Sequence, residues 1–407
     1  MADALAVWLY GTKVATVERD RSRRPRLTYT AAARSAHEPG TPLLSMTLPV
    51  RPEPYPQGAT SVFIDGLLPE GDTRRTIAED LRLRADDTYG LIRALGRDCA
   101  GAVVIQPDDE PAPSLASTNT AEPIDEDELA NLLANLRSAP LGVGGRVRVS
   151  LAGVQEKLLL TRLPDGRWGR PVDGTPSTHI LKPEIRGYPY TVENEAFCMR
   201  LARHLGLPTA EVETVTVKGR PLIVVARYDR SVQPDGRVER IHQEDFCQAT
   251  GRLPDKKYQE DGGPSLRVVA EMLGTVDPAS VSTLLRAVAL HVLVGNGDAH
   301  AKNYSLLHEP SGDLRLASLY DVMSTLFYEQ SELAMCIDNV RKSNQVTSDR
   351  IVNEAASWGL ARSRATQVLG ELLSRVPASV EAAKAETPGL PDAIPTIVAS
   401  QLEKLST

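Results

Sequence analysis

The feature that most restricts the fold of this chain is a change of sequence pattern near its middle. Between residues 146 and 228, aliphatic and β-branched segments predict strands at RVRVS, EKLLLTRL, THILK, EVETVTV and PLIVVARYD. One helix, over about 192–205, is predicted among them. After Asp245 the apolar residues recur at helical spacing almost to the end of the chain. A strand-rich half followed by a helix-rich half predicts an α+β fold with two lobes around a cleft.

Residues 1–108 are predicted to form a small mixed α/β accessory domain. Strands over 5–10 and 13–17 flank a Gly-Thr turn, which predicts a hairpin. Helices are predicted over 72–81, after LLPEG, and over 88–95, before Gly96. The accessory domain therefore precedes the two lobes in the chain.

A stretch rich in Pro, Ser, Thr and acidic residues, 107–127, predicts a linker after this domain. Acidic residues in a first turn, followed by apolar residues at helical spacing, then predict a helix over about 126–137. The predicted organisation has four parts: accessory domain 1–108, linker and helix 109–140, strand-rich lobe 141–230 and helix-rich lobe 231–407.

Charge and cysteine content narrow the class of protein. A chain of 407 residues with a net charge of -7 has no overall basic field, so independent binding to nucleic acid is not expected. Its four cysteines are scattered without a C-x-x-C pair, which is typical of a reducing cytoplasm. The histidines lack zinc-ligand spacing, and no apolar run reaches the roughly 20 residues that a membrane span needs. We expect a cytoplasmic protein with no structural metal and no membrane contact.

A polar loop, GNGDAHAKNYS, directly follows an apolar helix predicted over 284–294. Asp298 and Asn303 in this loop have the spacing of the D-x-x-x-x-N catalytic loop of protein kinases, and Asp321 follows at the end of LRLASLYD, a predicted short strand or hairpin. Phosphoryl transfer needs one carboxylate to deprotonate the acceptor hydroxyl, and an amide with a second carboxylate to hold Mg²⁺ on the phosphates. The loop therefore predicts Asp298 as the base and Asn303 with Asp321 as the metal ligands.

Other parts of a kinase occur upstream in the same order. Lys182 ends a predicted strand, where it suits the nucleotide phosphates, and either Glu193 or Glu195 on the next helix is its predicted partner. Gly153 lies in a polar turn between two strands, as a phosphate-covering loop would. The backbone of 226–228, at the join of the lobes, is predicted to bind adenine. Each motif alone is common by chance, but their order favours a kinase.

Several polar residues near these motifs have two readings. In a nucleotide cleft Lys157 would pair with phosphate and Glu156 would orient it, whereas on an exposed sheet both would make ordinary cross-strand pairs. The roles of His300 and Lys302 are left open in the same way, between contacts with the nucleotide and ordinary structural contacts. Ser150 is a candidate phosphoacceptor, although a serine in a strand is more often structural.

Taken together, the motifs resemble the HipA-like serine/threonine kinases, which are toxins of bacterial toxin–antitoxin pairs. The resemblance covers nearly the whole chain. In the lobes it rests on SLAGVQEK, THILKP, ENEAFCMRLARHLGL, ARYDR, QEDFCQATG, KYQEDGGPS, GDAHAKNYS and LYDVMST. In the first domain it rests on PLLSMTLPV, FIDGLLPEG and LIRALGRDCAGAVVI.

The resemblance implies a bilobal protein-kinase-like core that uses ATP and Mg²⁺ and carries an N-terminal accessory domain. By this resemblance Asp298 is the catalytic base, Asn303 and Asp321 hold Mg²⁺, and Lys182 contacts ATP. Ser150 would be autophosphorylated, which displaces the phosphate loop and switches the kinase off. The residues expected to contact the nucleotide are Ala152, Gly153, Val154, Gln155, Glu156, Lys157, Lys182, Ala226, Arg227, Tyr228, His300, Ala301, Lys302, Asn303, Tyr320 and Asp321.

The resemblance also implies partners. A HipB-like helix-turn-helix antitoxin would restrain the kinase, so that DNA is contacted only through the antitoxin complex. The protein substrate would be an aminoacyl-tRNA synthetase, whose phosphorylation arrests growth. The sequence departs from the family at Ala226, where an acidic residue can stand, and in its C-terminal helices, which match poorly.

Two other functions remain open at this point. A small-molecule phosphotransferase of the aminoglycoside-kinase type shares the Asp and Asn loop and would phosphorylate a small alcohol without transfer to protein. A catalytically silent module would only join an antitoxin on operator DNA, and it would fail to bind Mg-ATP.

Overall fold

A four-stranded antiparallel sheet with four helices forms the first part of the computed structural model, which describes residues 4–20, 24–113, 117–143, 146–153 and 155–406. The strands, in the spatial order β3-β2-β1-β4, are β1 (Ala4–Leu9), β2 (Thr12–Arg19), β3 (Pro25–Tyr29) and β4 (Val103–Pro107). The helices are α1 (Ala31–Ala36), α2 (Gln57–Leu67), α3 (Gly71–Asp80) and α4 (Thr88–Leu95). Tyr10 and Gly11 both have positive φ, which matches the twist of a tight hairpin. The predicted hairpin is therefore confirmed, but its turn lies one residue earlier than the predicted Gly11-Thr12, since Thr12 begins β2.

A six-stranded antiparallel sheet with two helices forms the second part. The strands are β5 (Glu122–Ile124), β6 (Leu158–Arg162), β7 (Trp168–Arg170), β8 (His179–Pro183), β9 (Val212–Val217) and β10 (Arg220–Ala226), in the order β5-β7-β6-β8-β10-β9. The helices are α5 (Glu126–Ala134) and α6 (Thr191–His204), and α6 packs on β9 and β10.

The sequence prediction for this region is wrong in several details, one of which is that it missed β7. The segment 146–150 is not a strand, because Val147 and Val149 each form only an isolated bridge, to Val172 and Asp98. The predicted linker contributes β5 to the sheet, and the helix after it ends at Ala134, one turn earlier than predicted.

The last part of the chain is mainly helical. Its helices are α7 (Phe246–Ala249), α8 (Leu266–Val276), α9 (Pro278–Val294), α10 (Ser348–Ser357), α11 (Arg362–Ala385) and α12 (Ala393–Ser406). Short strands accompany them: β11 (Arg230–Val232), β12 (Val238–Arg240), β13 (His242–Asp245), β14 (Ser305–His308), β15 (Leu314–Leu316), β16 (Glu332–Ile337) and β17 (Val340–Lys342). The prediction of helices almost throughout this region missed β14, β16 and β17, which give no clear two-residue period, whereas β15 lies within LRLASLYD, the segment predicted as a short strand or hairpin.

Helix α9 is the centre of this helical lobe. Its Leu284, Leu285, Leu290 and Leu293 are fully buried against α8, α11 and α12, and each such burial stabilises the fold by roughly 1.5–3 kcal/mol. The helix ends at Gly295, whose φ of 66° is the left-handed conformation that glycine accepts at a helix C-terminus. The buried helix therefore delivers the polar loop after it to a fixed place.

The first two parts share one apolar core. Leu5, Val7 and Ile105 of the first sheet belong to the same buried cluster as Leu159 of the second sheet and Val172, which follows β7. Because the core is continuous across residue 108, the division of the chain at residues 108, 140 and 230 stays a prediction. No helix among the described residues is both long and apolar enough to cross a bilayer.

Candidate active site

Lys182 lies at the centre of a charged group on the inner wall of the cleft. Near the end of β8, its Nζ donates to Glu195 Oε1 of α6 at 2.8 Å and to Asp321 Oδ1 at 2.6 Å. The Lys182 and Glu195 side chains are only 9% and 3% exposed. Glu195, and not Glu193, is the partner, because two positions turn a helix by about 200° and point the two side chains to different faces.

Asp321 and Asn303 lie together next to Lys182. Asn303 Nδ2 is 3.3 Å from Asp321 Oδ2, and the buried Asn303 Oδ1 has no hydrogen-bond partner among the described residues. Desolvation by the surrounding protein opposes ionisation of Asp321, but the Lys182 ammonium outweighs it and lowers the pKa of Asp321 to about 2. Asp321 has a φ of 60°, so it lies in a left-handed turn beyond β15 and not at the strand end that the sequence predicted.

These two side chains fit a magnesium ion. An amide oxygen without a partner and an ionised carboxylate are oxygen ligands, and Mg²⁺ in proteins commonly takes one or two such ligands while phosphates and water complete its shell. The described part of the chain holds no group of three or more His, Cys, Asp and Glu that would form an all-protein metal site.

Asp298 lies at the exposed mouth of the cleft. Tyr258 Oη donates to Asp298 Oδ1 at 2.8 Å. Desolvation raises the pKa of Asp298 above its usual value, although the Tyr258 hydrogen bond acts against this rise. The preceding Gly297 is required sterically, since a Cβ there would lie 2.1 Å from the Glu332 carbonyl oxygen. The loop thus holds one carboxylate, with a raised proton affinity, beside solvent.

The loop predicted to cover phosphates lies on the wall of the cleft, which residues from all three parts of the chain line. Gly153 has a φ of 111°, and its N–H donates to Glu70 Oε1 at 3.2 Å. Lys157 Nζ donates to the Ala152 carbonyl, and burial together with the Lys182 charge lowers the pKa of Lys157 to about 8. Val154, also predicted to contact the nucleotide, lies outside the described residues.

Glu156 does not lie where the sequence placed it. Its exposed side chain pairs with Arg137 Nε at 2.9 Å on the outer surface, so it neither lines the cleft nor orients Lys157. Consecutive residues in an extended segment point to opposite sides, so the inward Lys157 turns Glu156 outward.

The predicted adenine-binding segment is largely engaged within the protein. The Ala226 N–H donates to the Glu211 carbonyl and the Arg227 N–H to the Thr178 carbonyl, both at 2.9 Å. These two donors are therefore not free, and adenine contacts are left to the carbonyl groups and to Tyr228. The Tyr228 ring lies on the cleft wall, 5.5 Å from that of Tyr320.

Behind this segment lies a buried set of charges, which we call the hinge cluster: Asp98, Arg227, Asp229, Arg230 and Arg240. Arg230 Nη2 is 3.0 Å from Asp98 Oδ1, and Arg227 Nη2 is 2.8 Å from Asp229 Oδ2. Although burial alone would raise the pKa of Asp98, the three guanidinium groups lower it. The cluster ties the accessory part of the chain, through Asp98, to the join of the lobes.

Most of the predicted site residues line one cleft of about 290 Å³, close to the lower end of the usual range for ligand pockets. The cleft is lined by Ala152, Gly153, Gln155, Lys157, Lys182, Ala226, Arg227, Tyr228, Asp298, His300, Lys302, Asn303, Tyr320 and Asp321. Ala301 is buried beside it and donates its N–H to the Lys257 carbonyl. Burial lowers the pKa of His300 to about 3, so this imidazole is neutral at pH 7.

Sequence reasoning missed five charged residues of the cleft: Glu70, Asp229, Glu244, Asp245 and Lys257. Lys302 donates to Asp245 Oδ2 and lies 3.7 Å from Glu70 Oε1. Glu70 occurs in LLPEG and Asp245 in QEDFC, two motifs that were used only as part of the resemblance to the family. The acidic residue within each motif was the signal that could have identified it as a residue of the site.

Ser150 lies outside the cleft. It is fully buried, its Oγ donates to the Leu67 carbonyl at 2.6 Å, and its N–H donates to the Asp98 carbonyl at 2.9 Å. The structure therefore places the predicted phosphoacceptor in the seam between the accessory part and the strand-rich lobe.

Comparison with known proteins identifies relatives along most of the chain. Residues 5–106 match the HipA N-terminal domain, and residues 149–380 match the HipA-like C-terminal domain. The chain is 42% identical over 334 residues to a putative kinase, Y4mE, of Sinorhizobium fredii, across 80% of this chain and 78% of that protein. It is 32% identical over 339 residues to the serine/threonine-protein kinase toxin HipA of Shewanella oneidensis, across 79% of this chain and 76% of the toxin.

The fold agrees with these sequence relationships. A chain in the solved complex of Shewanella oneidensis HipA, HipB and operator DNA is similar with a TM-score of 0.84 and 29% identity, over 98% of this chain and 95% of that chain. This similarity confirms the expected α+β fold, with a two-lobed kinase-like core, an N-terminal accessory domain and a helix-rich C-terminal lobe. The chain belongs to the HipA family, whose named members include a serine/threonine kinase toxin and putative kinases.

Proposed function

We propose that this protein is a serine/threonine protein kinase that uses ATP and Mg²⁺ and acts in the cytoplasm as a growth-arresting toxin. The observation that carries the proposal is a set of residues in one cleft and directly behind its wall, which we call the cleft cluster: Lys182, Glu195, Asp298, Asn303 and Asp321. A lysine paired with a helix carboxylate, an Asn with an Asp, and a separate carboxylate at the cleft mouth are the parts that phosphoryl transfer uses.

In this mechanism Asp298 accepts the proton of the substrate hydroxyl as its oxygen attacks the γ-phosphorus of ATP. The bond from that phosphorus to the bridging oxygen breaks, and ADP leaves with the electron pair. The raised pKa of Asp298 favours this proton transfer. Lys182, fixed by Glu195, orients the phosphates. Asn303 Oδ1 and Asp321 would hold Mg²⁺, which when bound neutralises charge on the phosphates.

We assign the remaining nucleotide contacts by position in the cleft. Gly153 and Lys157 would meet phosphate, and Tyr228 with Tyr320 would lie against the base. The contacts of Ala152, Gln155, Ala226, Arg227, His300, Ala301 and Lys302 stay predictions. Glu156, which points outward, is not part of the proposed set.

We further propose Ser150 as the autophosphorylation site. Because its hydroxyl is buried against the Leu67 carbonyl, its segment must leave the seam before Asp298 can act on it. A phosphate adds nearly two negative charges, and the buried seam offers no way to hydrate them. The phosphorylated segment would therefore stay outside the seam, and the loop after Ser150 would no longer cover the nucleotide.

The proposed partners follow from the family. The solved relative is a complex of HipA with HipB and operator DNA, which supports a HipB-like helix-turn-helix antitoxin for this chain and DNA contact only through that complex. An aminoacyl-tRNA synthetase is the proposed protein substrate.

The test is intact-mass and phosphopeptide analysis after incubation with Mg-ATP, for the unsubstituted protein and for Asp298→Ala. We expect one phosphoryl group on Ser150 in the unsubstituted protein and a rate lower by about 10²- to 10⁴-fold in the variant, because the base is lost. Undiminished phosphorylation of Asp298→Ala would overturn the assignment of the base. Transfer only to a small alcohol would favour the small-molecule kinase, and no ATP binding would favour the silent module.

A further inference from the structure

Glu70 belongs to the accessory part of the chain, but its side chain reaches the phosphate end of the cleft. It stands immediately before α3, at the position where a side chain usually caps the helix, yet its carboxylate makes no capping bond. Instead the side chain is 12% exposed and lines the cleft. Its placement is therefore explained by the groups it meets there and not by its own helix.

Three donors surround the Glu70 carboxylate. The Gly153 N–H lies 3.2 Å from Oε1, Lys302 Nζ lies 3.7 Å from Oε1, and Lys257 Nζ lies 3.7 Å from Oε2. A backbone amide in a glycine turn and two ammonium groups are the donors that bind phosphate in nucleotide sites. The carboxylate thus makes the contacts that a phosphate group would make.

We propose that Glu70 competes with the nucleotide phosphates for the Gly153 amide and for Lys257 and Lys302, and so weakens ATP binding. This inference rests on the proposed function, since it requires that ATP binds in this cleft. A phosphate that approaches these donors either displaces the carboxylate or binds beside another negative charge, and both outcomes reduce affinity. Glu70 is carried by the accessory part and Gly153 by the strand-rich lobe, so the accessory domain would contribute directly to nucleotide affinity.

The substitution Glu70→Gln separates charge from geometry. Gln has the same shape, and its Oε1 still accepts a hydrogen bond from the Gly153 N–H, but it no longer neutralises the two lysines or repels phosphate. The control is Glu79→Gln, which makes the same change of net charge at an exposed position on α3. Thermal unfolding of both variants would verify that the fold is kept.

The experiment is isothermal titration calorimetry of the full chain with ADP and with adenosine. We expect Glu70→Gln to bind ADP roughly tenfold more tightly, which corresponds to about 1.4 kcal/mol, and to bind adenosine as the unsubstituted protein does. Glu79→Gln should match the unsubstituted protein for both ligands. The difference between ADP and adenosine identifies an effect on phosphate, because a general change of the cleft would alter both affinities.

The outcomes that contradict the proposal are distinct. If the unsubstituted protein binds ADP and Glu70→Gln binds it equally or less tightly, Glu70 does not compete with phosphate. An equal gain for ADP and adenosine would also overturn the competition, since it would indicate a change in cleft shape. If the unsubstituted protein binds no ADP, ATP or adenosine at all, the proposed kinase function fails together with this inference.

Discussion

The hinge cluster and the cleft cluster are both groups of acidic and basic side chains within the protein. The hinge cluster is closed, since its carboxylate oxygens are paired within the protein, whereas the cleft cluster is partly exposed to solvent and keeps an oxygen that is unpaired in the described part of the chain. In the hinge cluster, both oxygens of Asp98 and both oxygens of Asp229 accept hydrogen bonds from Arg, Ser or backbone donors. In the cleft cluster, the Asp321 side chain is 46% exposed and Asn303 Oδ1 has no partner among the described residues.

This difference separates charges that fix the structure from charges that await a ligand. Buried polar atoms in folded proteins are nearly always paired, so the unpaired Asn303 oxygen beside an ionised Asp321 reduces stability unless something binds there. In the hinge cluster the oxygens of Asp98 and Asp229 are all paired, and the atom without a hydrogen-bond partner among the described residues is Arg230 Nε, a donor and not a metal ligand. The role of the hinge cluster is to hold the join of the lobes against the accessory domain, through contacts of Arg227 and Arg230 with Asp98 and the Cys99 carbonyl.

The largest effect that distinguishes the two clusters is on stability. Asp98→Ala leaves the guanidinium groups of Arg227, Arg230 and Arg240 buried with one carboxylate between them, and breaking a buried pair in this way costs about 3–5 kcal/mol. Urea unfolding should show this loss of free energy of unfolding. The matched control, Glu213→Gln, breaks the half-exposed pair with Arg162 and should cost at most about 1 kcal/mol. Equal losses for the two variants would mean that the hinge cluster does not stabilise the fold.

The second effect is on activity. Asp321→Asn removes a proposed magnesium ligand, and the transfer rate should fall by about 10²-fold or more, since a bound metal supplies several kcal/mol of charge stabilisation. Lys182 keeps Glu195 as a partner, so the free energy of unfolding should fall much less than in Asp98→Ala. The measurements are phosphate transfer at saturating Mg²⁺ and urea unfolding. If Asp321→Asn lost stability but kept its transfer rate, Asp321 would be a structural residue, like those of the hinge cluster, and not a magnesium ligand.

The sequence predicted the cleft cluster better than the hinge cluster, and distance along the chain explains why. Asp298, Asn303 and Asp321 occur in short motifs whose spacing carries the chemistry. Asp98 and Arg230, by contrast, are 132 positions apart, and their pairing depends on how two sheets pack. The same holds for Glu70, which meets the amide of Gly153, 83 positions further along.

The secondary structure was also predicted well where the local sequence specifies it and poorly where it depends on distant parts of the chain. Helix α4 begins and ends where the sequence predicted it, and α6 differs from its prediction by one residue at each end. In the segment 146–150 polar and apolar residues alternate as in a strand, but the segment pairs through two isolated bridges. The reason is that its two bridge partners, Asp98 and Val172, belong to different parts of the fold. Asp321 is displaced from a predicted strand end by a left-handed turn that no local sequence period specifies.

The smallest expected effect concerns Lys157, a buried cation beside the cleft cluster that forms no ion pair with the described residues. Burial and the neighbouring Lys182 lower the pKa of Lys157 to about 8, so its ammonium is charged at pH 7 and mostly neutral at pH 9. The charged form attracts nucleotide phosphate, whose second pKa near 6 keeps it ionised throughout this range. ADP affinity should therefore fall, by several-fold and at most about tenfold per pH unit above the pKa, between pH 7 and pH 9.

Calorimetric titration with ADP across this pH range would measure the fall, with Lys157→Met as the matched variant because it keeps the aliphatic chain and removes the charge. The variant should bind ADP more weakly at pH 7 and with little dependence on pH. An equal pH dependence in both proteins would show that another group titrates. A flat profile in the unsubstituted protein would mean that Lys157 keeps its charge when buried, as the arginines of the hinge cluster do with the help of paired carboxylates. Lys157 would do so although, among the described residues, its one acceptor is the Ala152 carbonyl.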